Sequence, residues 1–208
     1  MIWDFGGVLT TSPFQSFNRF EVEQGIPADF IRGINATNPD TNAWAQFESS
    51  QVSLEEFDQL FADETAAQGH RVSGKRVVQL LSGSLRPRMV DVLKKCKAAF
   101  KVACITNNLN SGQGAGMAQN AERAAEMDAV MALFDLVVES SKERIRKPDP
   151  KIYTITCERL QIEPSEAVYL DDLGINLKPA RALGMQTIKV IDETQAIAEL
   201  TQATGLEL

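Results

Sequence analysis

The sequence predicts an α/β fold in which a parallel β-sheet carries helices on both faces and a small all-helical unit is inserted after the first strand. Two observations support this prediction. After Pro87, apolar runs typical of buried strands alternate with amphipathic helical patterns, and this alternation is typical of a parallel sheet covered on both faces. Between residues 13 and 83, by contrast, the apolar residues recur at helical spacing and no run resembles a strand.

The composition is that of a globular protein with a sizeable core. The 208 residues are 44% hydrophobic and 24% charged. A net charge of −7 argues against nucleic acid or an anionic membrane surface as a partner. No apolar run is long enough to span a membrane and no signal-peptide pattern is visible, so we expect a cytoplasmic protein. Cys96, Cys104 and Cys157 are far apart and are expected to be buried free thiols.

The first strand is short, and helices follow it directly. Ile2-Trp3 ends a strand that stops at Asp4 and turns at Gly6-Gly7. Buried strands usually have about five residues, so this one looks clipped and the completeness of the N-terminus stays open. Four helices are then predicted: from Ser12-Pro13 through Phe20, from Pro27 through Ile34, from the capping box Ser53–Glu56 to Gly69, and around Val77-Val78.

The second half of the chain supplies the remaining strands. Helix MVDVLKKCKAA precedes strand FKVACITNN, and three more strands are predicted in FDLVVES, AVYLDD and MQTIKVID, with helices KIYTITCERLQ and KPARALG between them. The Gly- and Ala-rich residues 110–126 are the candidate mobile segment. We therefore predict a core domain of residues 1–12 and 84–208, and a helical cap domain of residues 13–83.

Polar groups follow four of the predicted strands. They are Asp4, then Thr106-Asn107-Asn108, then Lys147 in RKPDP, and finally Asp171-Asp172 with Asn176 just beyond. Each group alone has a structural alternative, such as a turn residue, a helix N-cap pair or a solvated lysine. Ligands of open α/β sheets bind at the carboxyl ends of the strands. Placement of all four groups at such ends therefore favours one shared site.

The stretches DFGGVLT, ITNN, RKPDPKIY and YLDDLGINLKPARALGM resemble, in order and spacing, the four motifs of the haloacid dehalogenase-like (HAD) hydrolase superfamily. The likeness covers essentially the whole chain, including a helical cap after the first motif. The sequence is most similar to two members of the superfamily. One is the N-terminal phosphatase domain of soluble epoxide hydrolase, and the other is the HAD domain fused to some acyl-CoA dehydrogenases, a domain that also begins with DxGGVL. The resemblance implies an HAD-like Rossmannoid core and a cytoplasmic hydrolase.

The resemblance also implies a mechanism. Asp4 would attack phosphorus and form an aspartyl-phosphate that water later hydrolyses. A carboxylate that approaches an anionic phosphate meets charge repulsion, so a divalent cation is needed, and Mg²⁺ suits an all-oxygen site. The implied metal ligands are Asp4, the backbone carbonyl of Gly6, Asp172, and Asp171 either directly or through water.

Further residues are implied to contact a small phosphorylated substrate. Thr106 and Asn107 would donate hydrogen bonds to the phosphoryl oxygens, and the catalytic Lys147 would neutralise their charge and that of Asp4. Asn176 would brace the metal loop, or it caps a helix. The other implied substrate-binding residues are Gly7, Asn108 and, from the cap, Trp44, for which packing within the cap is the alternative.

Gly6 departs from the family pattern. Phosphatases of this superfamily usually carry a second Asp at this position, which protonates the leaving oxygen and then activates water. A glycine keeps the backbone carbonyl for the metal but has no side chain that could transfer a proton. The loss of such a general acid lowers the rate by roughly 10²–10⁴-fold. Some relatives with glycine here are considered active.

Four functions therefore stay open at this stage. The first is a Mg²⁺-dependent phosphomonoesterase that tolerates Gly6 through a substrate with a good leaving group, a substrate hydroxyl or a proton donor from the cap. The second is a metal-independent 2-haloacid dehalogenase. The third is a non-catalytic binding or regulatory domain, and the fourth transfers the phosphoryl group to an acceptor other than water. The adjacent carboxylates of Asp171 and Asp172 argue against the second. The identity of the substrate is not predicted, and the oligomeric state is either monomer or homodimer.

Overall fold

The structure is a computed structural model that describes residues 1–81, 83–108 and 121–208, with the backbone alone for residues 121 and 122. In these ranges the sheet has five strands. They are β1 (Ile2–Trp3), β2 (Ala103–Thr106), β3 (Leu136–Glu139), β4 (Val168–Asp171) and β5 (Gln186–Lys189). All pairings are parallel and the spatial order is β3-β2-β1-β4-β5, which confirms the predicted α/β fold.

Eleven α-helices lie in the described part of the chain. Five follow β1: α1 (Pro13–Gln24), α2 (Phe30–Ala36), α3 (Ala43–Glu48), α4 (Leu54–Ala67) and α5 (Gly74–Gln79). The others are α6 (Pro87–Ala99), α7 (Ala121–Met131), α8 (Ser140–Glu143), α9 (Pro150–Leu160), α10 (Gly174–Ala182) and α11 (Glu193–Thr204). A 3₁₀ turn, Pro164–Glu166, precedes β4.

The sheet is covered on both faces because its side chains alternate between them. Trp3 and Leu170 lie in one apolar cluster with α6, α7 and α11, whereas Ile2 and Tyr169 lie in a second cluster with α9 and α10. The central strand β1 is fully buried, with Ile2 opposite Ala103 on one side and Tyr169 on the other. Two core residues are therefore enough to hold β1, because strands cover both of its edges.

Helices α1–α5 form an apolar cluster of their own, which we call the helical insertion. Phe57 lies at its centre, fully buried, and stacks on Phe47 with ring centroids 4.4 Å apart. At its base the two connecting chain segments pair with each other, since Thr11 N donates to Ser84 O at 2.8 Å and Arg86 N donates to Leu9 O at 2.8 Å. The insertion is thus joined to the sheet by two adjacent segments.

The last part of the Gly- and Ala-rich segment is helical. Residues 110–120 of the predicted mobile segment lie outside the described residues, but residues 121–126 begin helix α7. Ala124, Met127 and Val130 are buried in the sheet cluster that also holds α6. Their spacing of three residues gives the helix an apolar stripe, which the emphasis on small and polar residues overlooked.

The prediction for the three cysteines is confirmed. Cys96, Cys104 and Cys157 are buried free thiols. Burial raises the pKa of the Cys96 thiol to about 11, so this sulfur stays protonated at neutral pH. Among the described residues we find no helix with the length and apolar character needed to cross a membrane.

We expect Phe57→Ala to lower the free energy of unfolding by about 3–5 kcal/mol, because it leaves a cavity at the centre of the insertion. Phe100→Ala is the matched control, since Phe100 is 39% exposed at the end of α6 and should lose less than half as much. Urea unfolding measures both. Equal losses in the two variants would contradict a separate apolar cluster in the insertion.

Candidate active site

A cavity of about 570 Å³ lies between the carboxyl ends of the strands and the helical insertion. The sheet side contributes Asp4, Gly6, Thr106, Lys147 and Asp172, among others, and α1–α3 form most of the opposite wall. Four separate chain segments therefore meet at one place, as their positions after parallel strands predict. The chemistry of this cavity depends on how their charges are arranged.

Lys147 links two of the strand ends. Its Nζ lies 2.8 Å from Asp4 Oδ1, at the end of β1, and 2.8 Å from Asp171 Oδ2, at the end of β4. All three side chains are at least nine-tenths buried. Asp4 Oδ1 also accepts a hydrogen bond of 2.7 Å from Phe5 N. The nucleophile candidate is thus held by one ammonium and one backbone amide.

The carboxylates outnumber the cations here, and their pKa values reflect it. Burial is the main cause that raises the pKa of Asp4 well above its usual value, and the nearby carboxylates of Asp171 and Asp172 raise it further. The charge of Lys147 acts in the opposite direction. Burial, with Asp171, also raises the pKa of Asp172 to about 6. Burial by itself would lower the pKa of Lys147, but its two carboxylate partners raise it instead. Lys147 therefore stays charged.

The surplus of negative charge fits a divalent cation. Carboxylate oxygens of Asp4, Asp171 and Asp172 lie within 4.8 Å of one another. Three carboxylates share a single lysine, and hard oxygen ligands of this kind suit Mg²⁺. Such an ion would also restore the charged forms of Asp4 and Asp172. The donor set present is therefore compatible with the Mg²⁺ expected from the sequence.

Asp171 is held by donors on both oxygens. Its Oδ1 accepts from Leu173 N at 2.8 Å, Asn176 Nδ2 lies 3.0 Å from each oxygen, and the Tyr169 hydroxyl donates to Oδ2. Asn176 lies within α10 and braces Asp171, so the N-cap alternative is wrong. Its own carbonyl accepts from the Tyr153 hydroxyl at 2.8 Å. The sequence analysis missed both tyrosines, whose strand and helix positions indicated core packing alone.

The two glycines of the first turn differ. Gly7 has φ +75°, and a Cβ there would lie 2.1 Å from Asp172 Oδ2. Gly7 is not among the described residues that line the cavity, and it is a glycine because Asp172 approaches its backbone. Its role in substrate binding stays a prediction. Gly6 does line the cavity, and an added Cβ would meet nothing within 4 Å. Neither steric contact nor a left-handed backbone thus requires glycine at position 6.

The polar residues after β2 have different partners. Thr106 and Asn107 both line the cavity. The Asn107 side chain also braces the lysine loop, since its Oδ1 accepts from Lys147 N at 2.9 Å and its Nδ2 donates to Lys147 O at 3.0 Å. Asn108 is buried outside the cavity, which corrects its predicted role in phosphate binding. Its side chain bonds to Glu139 and Ser141 instead and ties β2 to β3.

The wall formed by the insertion is largely apolar and includes one buried acidic residue that contacts an arginine of the lysine loop. Trp44 lines the cavity and also packs edge-on against Phe57 with ring centroids 5.7 Å apart, so both of its predicted roles are structurally possible. Beside it, Glu48 Oε2 lies 2.7 Å from Nε of Arg146. The sequence analysis missed both members of this pair. For Arg146, its position next to Lys147 in the sequence was a signal that it could lie at the site.

Comparison with known sequences places these features in context. A sequence profile of haloacid dehalogenase-like hydrolases matches residues 1–184. The chain is 34% identical to acyl-CoA dehydrogenase family member 10 of Mus musculus, in an alignment that covers 100% of this chain and 19% of that protein. It is 39% identical to bifunctional epoxide hydrolase 2 of Sus scrofa, over 59% of this chain and 21% of that protein. The chain thus spans about a fifth of these two relatives.

Other matches cover nearly the whole of this chain and nearly the whole of the matched protein. A sesquiterpene phosphatase of Aspergillus oryzae is 25% identical over 98% of this chain and 95% of the phosphatase. Among solved structures, an HAD-like hydrolase of Porphyromonas gingivalis superposes with a TM-score of 0.68 at 18% identity, covering 99% of this chain and 97% of that one. An HAD enzyme of Bacteroides thetaiotaomicron, in complex with magnesium and inorganic phosphate, has a TM-score of 0.56 at 20% identity and covers 92% and 94%.

The two neighbouring glycines provide a matched test of this geometry. Gly7→Ala should lower the free energy of unfolding by at least about 1–2 kcal/mol, because a left-handed backbone disfavours a Cβ and the new atom displaces the Asp172 carboxylate. Gly6→Ala should change it by no more than about 0.5 kcal/mol, since the space beside Gly6 is open. Urea titration of both variants decides the point, and equal losses would contradict it.

Proposed function

Because the chain belongs to the haloacid dehalogenase-like hydrolases, we propose that it is a Mg²⁺-dependent phosphomonoesterase with Asp4 as its nucleophile. The observation that carries this proposal is the buried cluster in which Lys147 bridges Asp4 and Asp171, with Asp172 beside them. The phosphatase among the relatives of full length supports the same reaction. So does the related fold that was crystallised with magnesium and inorganic phosphate.

Asp4, the Gly6 carbonyl and Asp172 are the proposed metal ligands. Asp172 lines the cavity, and its Oδ2 has one described protein donor, Ser12 Oγ at 3.3 Å. Asp171 is assigned a different role, as the counter-ion of Lys147, because both of its oxygens already accept hydrogen bonds. When bound, Mg²⁺ would offset the repulsion between the Asp4 carboxylate and the phosphate dianion.

In the first step a carboxylate oxygen of Asp4 attacks phosphorus, and the bond from phosphorus to the alcohol oxygen breaks. Lys147 remains charged between its two carboxylates and can face the phosphoryl oxygens with its positive charge. Thr106, which lines the cavity at the end of β2, donates a hydrogen bond from its hydroxyl to a phosphoryl oxygen of the substrate. Water then attacks the aspartyl-phosphate and regenerates Asp4. In this proposal the helical insertion acts as the cap, which covers the reacting groups and limits access of bulk water.

Haloacid dehalogenation suits this site less well. A 2-haloacid would bring its own carboxylate beside three others, of which one lysine balances only part. For a phosphate ester the same repulsion would be offset by the divalent cation, whereas haloacid dehalogenation uses no metal that could offset it. A non-catalytic domain would keep this architecture too, so turnover has to be measured.

The cavity wall supports a substrate class for this phosphatase. Its apolar lining includes Phe14, Phe17, Trp44, Leu81 and Ile175. This surface favours a phosphomonoester of an apolar alcohol over a sugar phosphate, whose hydroxyls would lose their hydrogen bonds to water. The name of the sesquiterpene phosphatase, a relative of full length, points the same way. We therefore propose an alkyl or isoprenoid monophosphate as the natural class of substrate.

We expect p-nitrophenyl phosphate to be hydrolysed in Mg²⁺ and not in EDTA. Asp4→Asn should lower kcat by at least about 10³-fold, because it removes the nucleophile. Asp91→Asn, the same chemical change on the exposed face of α6, is the control and should keep the wild-type rate. Activity that survives EDTA would contradict the role of the metal, and activity that survives Asp4→Asn would contradict the nucleophile.

Chain-length dependence tests the proposed class of substrate. Across linear alkyl phosphates, kcat/KM should rise by about fourfold for each methylene that enters the cavity, since burial of a methylene contributes about 0.8 kcal/mol. Ile175→Ser should weaken this dependence, because Ile175 is a half-exposed part of the cavity wall. Ile191→Ser, at an exposed isoleucine outside the cavity, should not. A series in which glycerol phosphate is the best substrate would contradict the proposal.

A further inference from the structure

The alcohol released by such a phosphatase needs a proton. An aliphatic alkoxide is a poor leaving group, so a positioned acid normally protonates its oxygen as the bond to phosphorus breaks. Gly6, beside the nucleophile, has no side chain to do this. Lys147 is held charged between two carboxylates, and its raised pKa makes it a weak acid. For a substrate that neither has a good leaving group nor supplies its own hydroxyl, the other walls of the cavity hold the candidate donors.

Four acidic residues line the described cavity: Asp4, Asp40, Glu48 and Asp172. The proposed mechanism uses Asp4 and Asp172 as nucleophile and metal ligand. Asp40 is exposed to water. Glu48 is the remaining acidic residue of the lining, and it is only 7% exposed.

Glu48 is held in position from both sides of the cavity. It is the last residue of α3 and belongs to the helical insertion, and its Oε2 lies 2.7 Å from Nε of Arg146, a residue of the lysine loop. Arg146 also donates from Nη1 to Pro39 O at 2.7 Å, so one guanidinium contacts two groups of the insertion. The backbone carbonyl of Glu48 accepts from Ser140 Oγ at 3.3 Å. These contacts place Glu48 beside the lysine loop, against the residue that precedes Lys147.

We propose that Glu48 is the proton donor to the leaving oxygen, in the role that Gly6 cannot fill. This inference rests on the proposed phosphatase function. As the Asp4 oxygen bonds to phosphorus and the ester oxygen departs, that oxygen takes the proton of the Glu48 carboxyl group and leaves as a neutral alcohol. In the second step the Glu48 carboxylate takes a proton from the attacking water, whose oxygen bonds to phosphorus while the bond to Asp4 breaks. Glu48 is then protonated again and inorganic phosphate is free.

The surroundings of Glu48 suit both protonation states. Burial raises the pKa of its carboxyl group, while the charge of Arg146, a hydrogen bond from the Trp44 side chain and the charge of Lys147 oppose that shift. Burial thus keeps the pKa above its usual value although Arg146 lies close and favours the carboxylate, and the proposal places the proton on Glu48 before the reaction. Arg146 stabilises the carboxylate that remains after the proton has left.

The test compares two leaving groups in single-turnover reactions with Mg²⁺. Glu48→Gln should slow cleavage of an alkyl phosphate by roughly 10²–10⁴-fold, the usual contribution of a general acid. The first-turnover burst of p-nitrophenol from the aryl phosphate should fall by less than about tenfold, because p-nitrophenolate leaves without a proton. In the wild type, alkyl-phosphate cleavage should decline as the pH rises and Glu48 ionises. Glu48→Gln should abolish that decline.

Glu21→Gln is the matched control. Glu21 is a fully buried carboxylate of the same insertion that accepts hydrogen bonds from Asp29 N and Ile31 N and does not line the cavity. Any effect of its substitution should be the same factor for both substrates. Equal slowing of both substrates by Glu48→Gln, or no slowing of either, would overturn the assignment and leave the Glu48–Arg146 pair a structural link. A wild-type protein that cleaves neither phosphate would overturn the proposed function, and this inference with it.

Discussion

The site depends on a single buried cation. The ammonium of Lys147 lies between carboxylates at the ends of two adjacent strands, 2.8 Å from each, with the lysine side chain 1% exposed. A buried charge without partners would cost several kcal/mol, so the lysine and its two carboxylates need one another. The Asn107 side chain holds the backbone on either side of Lys147 and brings the end of β2 into the same network. Four strand ends are thereby connected around one group.

The same network leaves the site with a surplus of negative charge. One lysine cannot balance three carboxylates, and burial raises the pKa values of Asp4 and Asp172. Such an arrangement is costly for the folded protein and is typical of functional sites, where stability is given up for reactivity. In the proposed function, a divalent cation would supply the missing positive charge. The fold holds this imbalance because Tyr169, Leu173 and Asn176 all donate hydrogen bonds to Asp171.

The loop between α8 and α9 contacts both the sheet and the helical insertion. Lys147 faces the carboxylates of the sheet, whereas the preceding Arg146 faces Glu48 and Pro39 of the helical insertion. Movement of the insertion would therefore act on the residue next to Lys147. The insertion also places the acidic side chain of Glu48 on the wall opposite Asp4. Gly6, next to the nucleophile, has no side chain.

The sequence by itself determined the parallel sheet, the helical insertion, the family and the positions of Asp4, Thr106, Lys147 and Asp171-Asp172 at strand ends, because local periodicity and short motifs encode these features. Only the tertiary structure decided that Gly7 makes room for Asp172, that Asn108 faces β3, and that Glu48 meets Arg146. Each of these depends on which distant segment packs against the residue, and a linear pattern does not contain that information. Long-range packing therefore selected the partners of side chains whose types the sequence had already supplied.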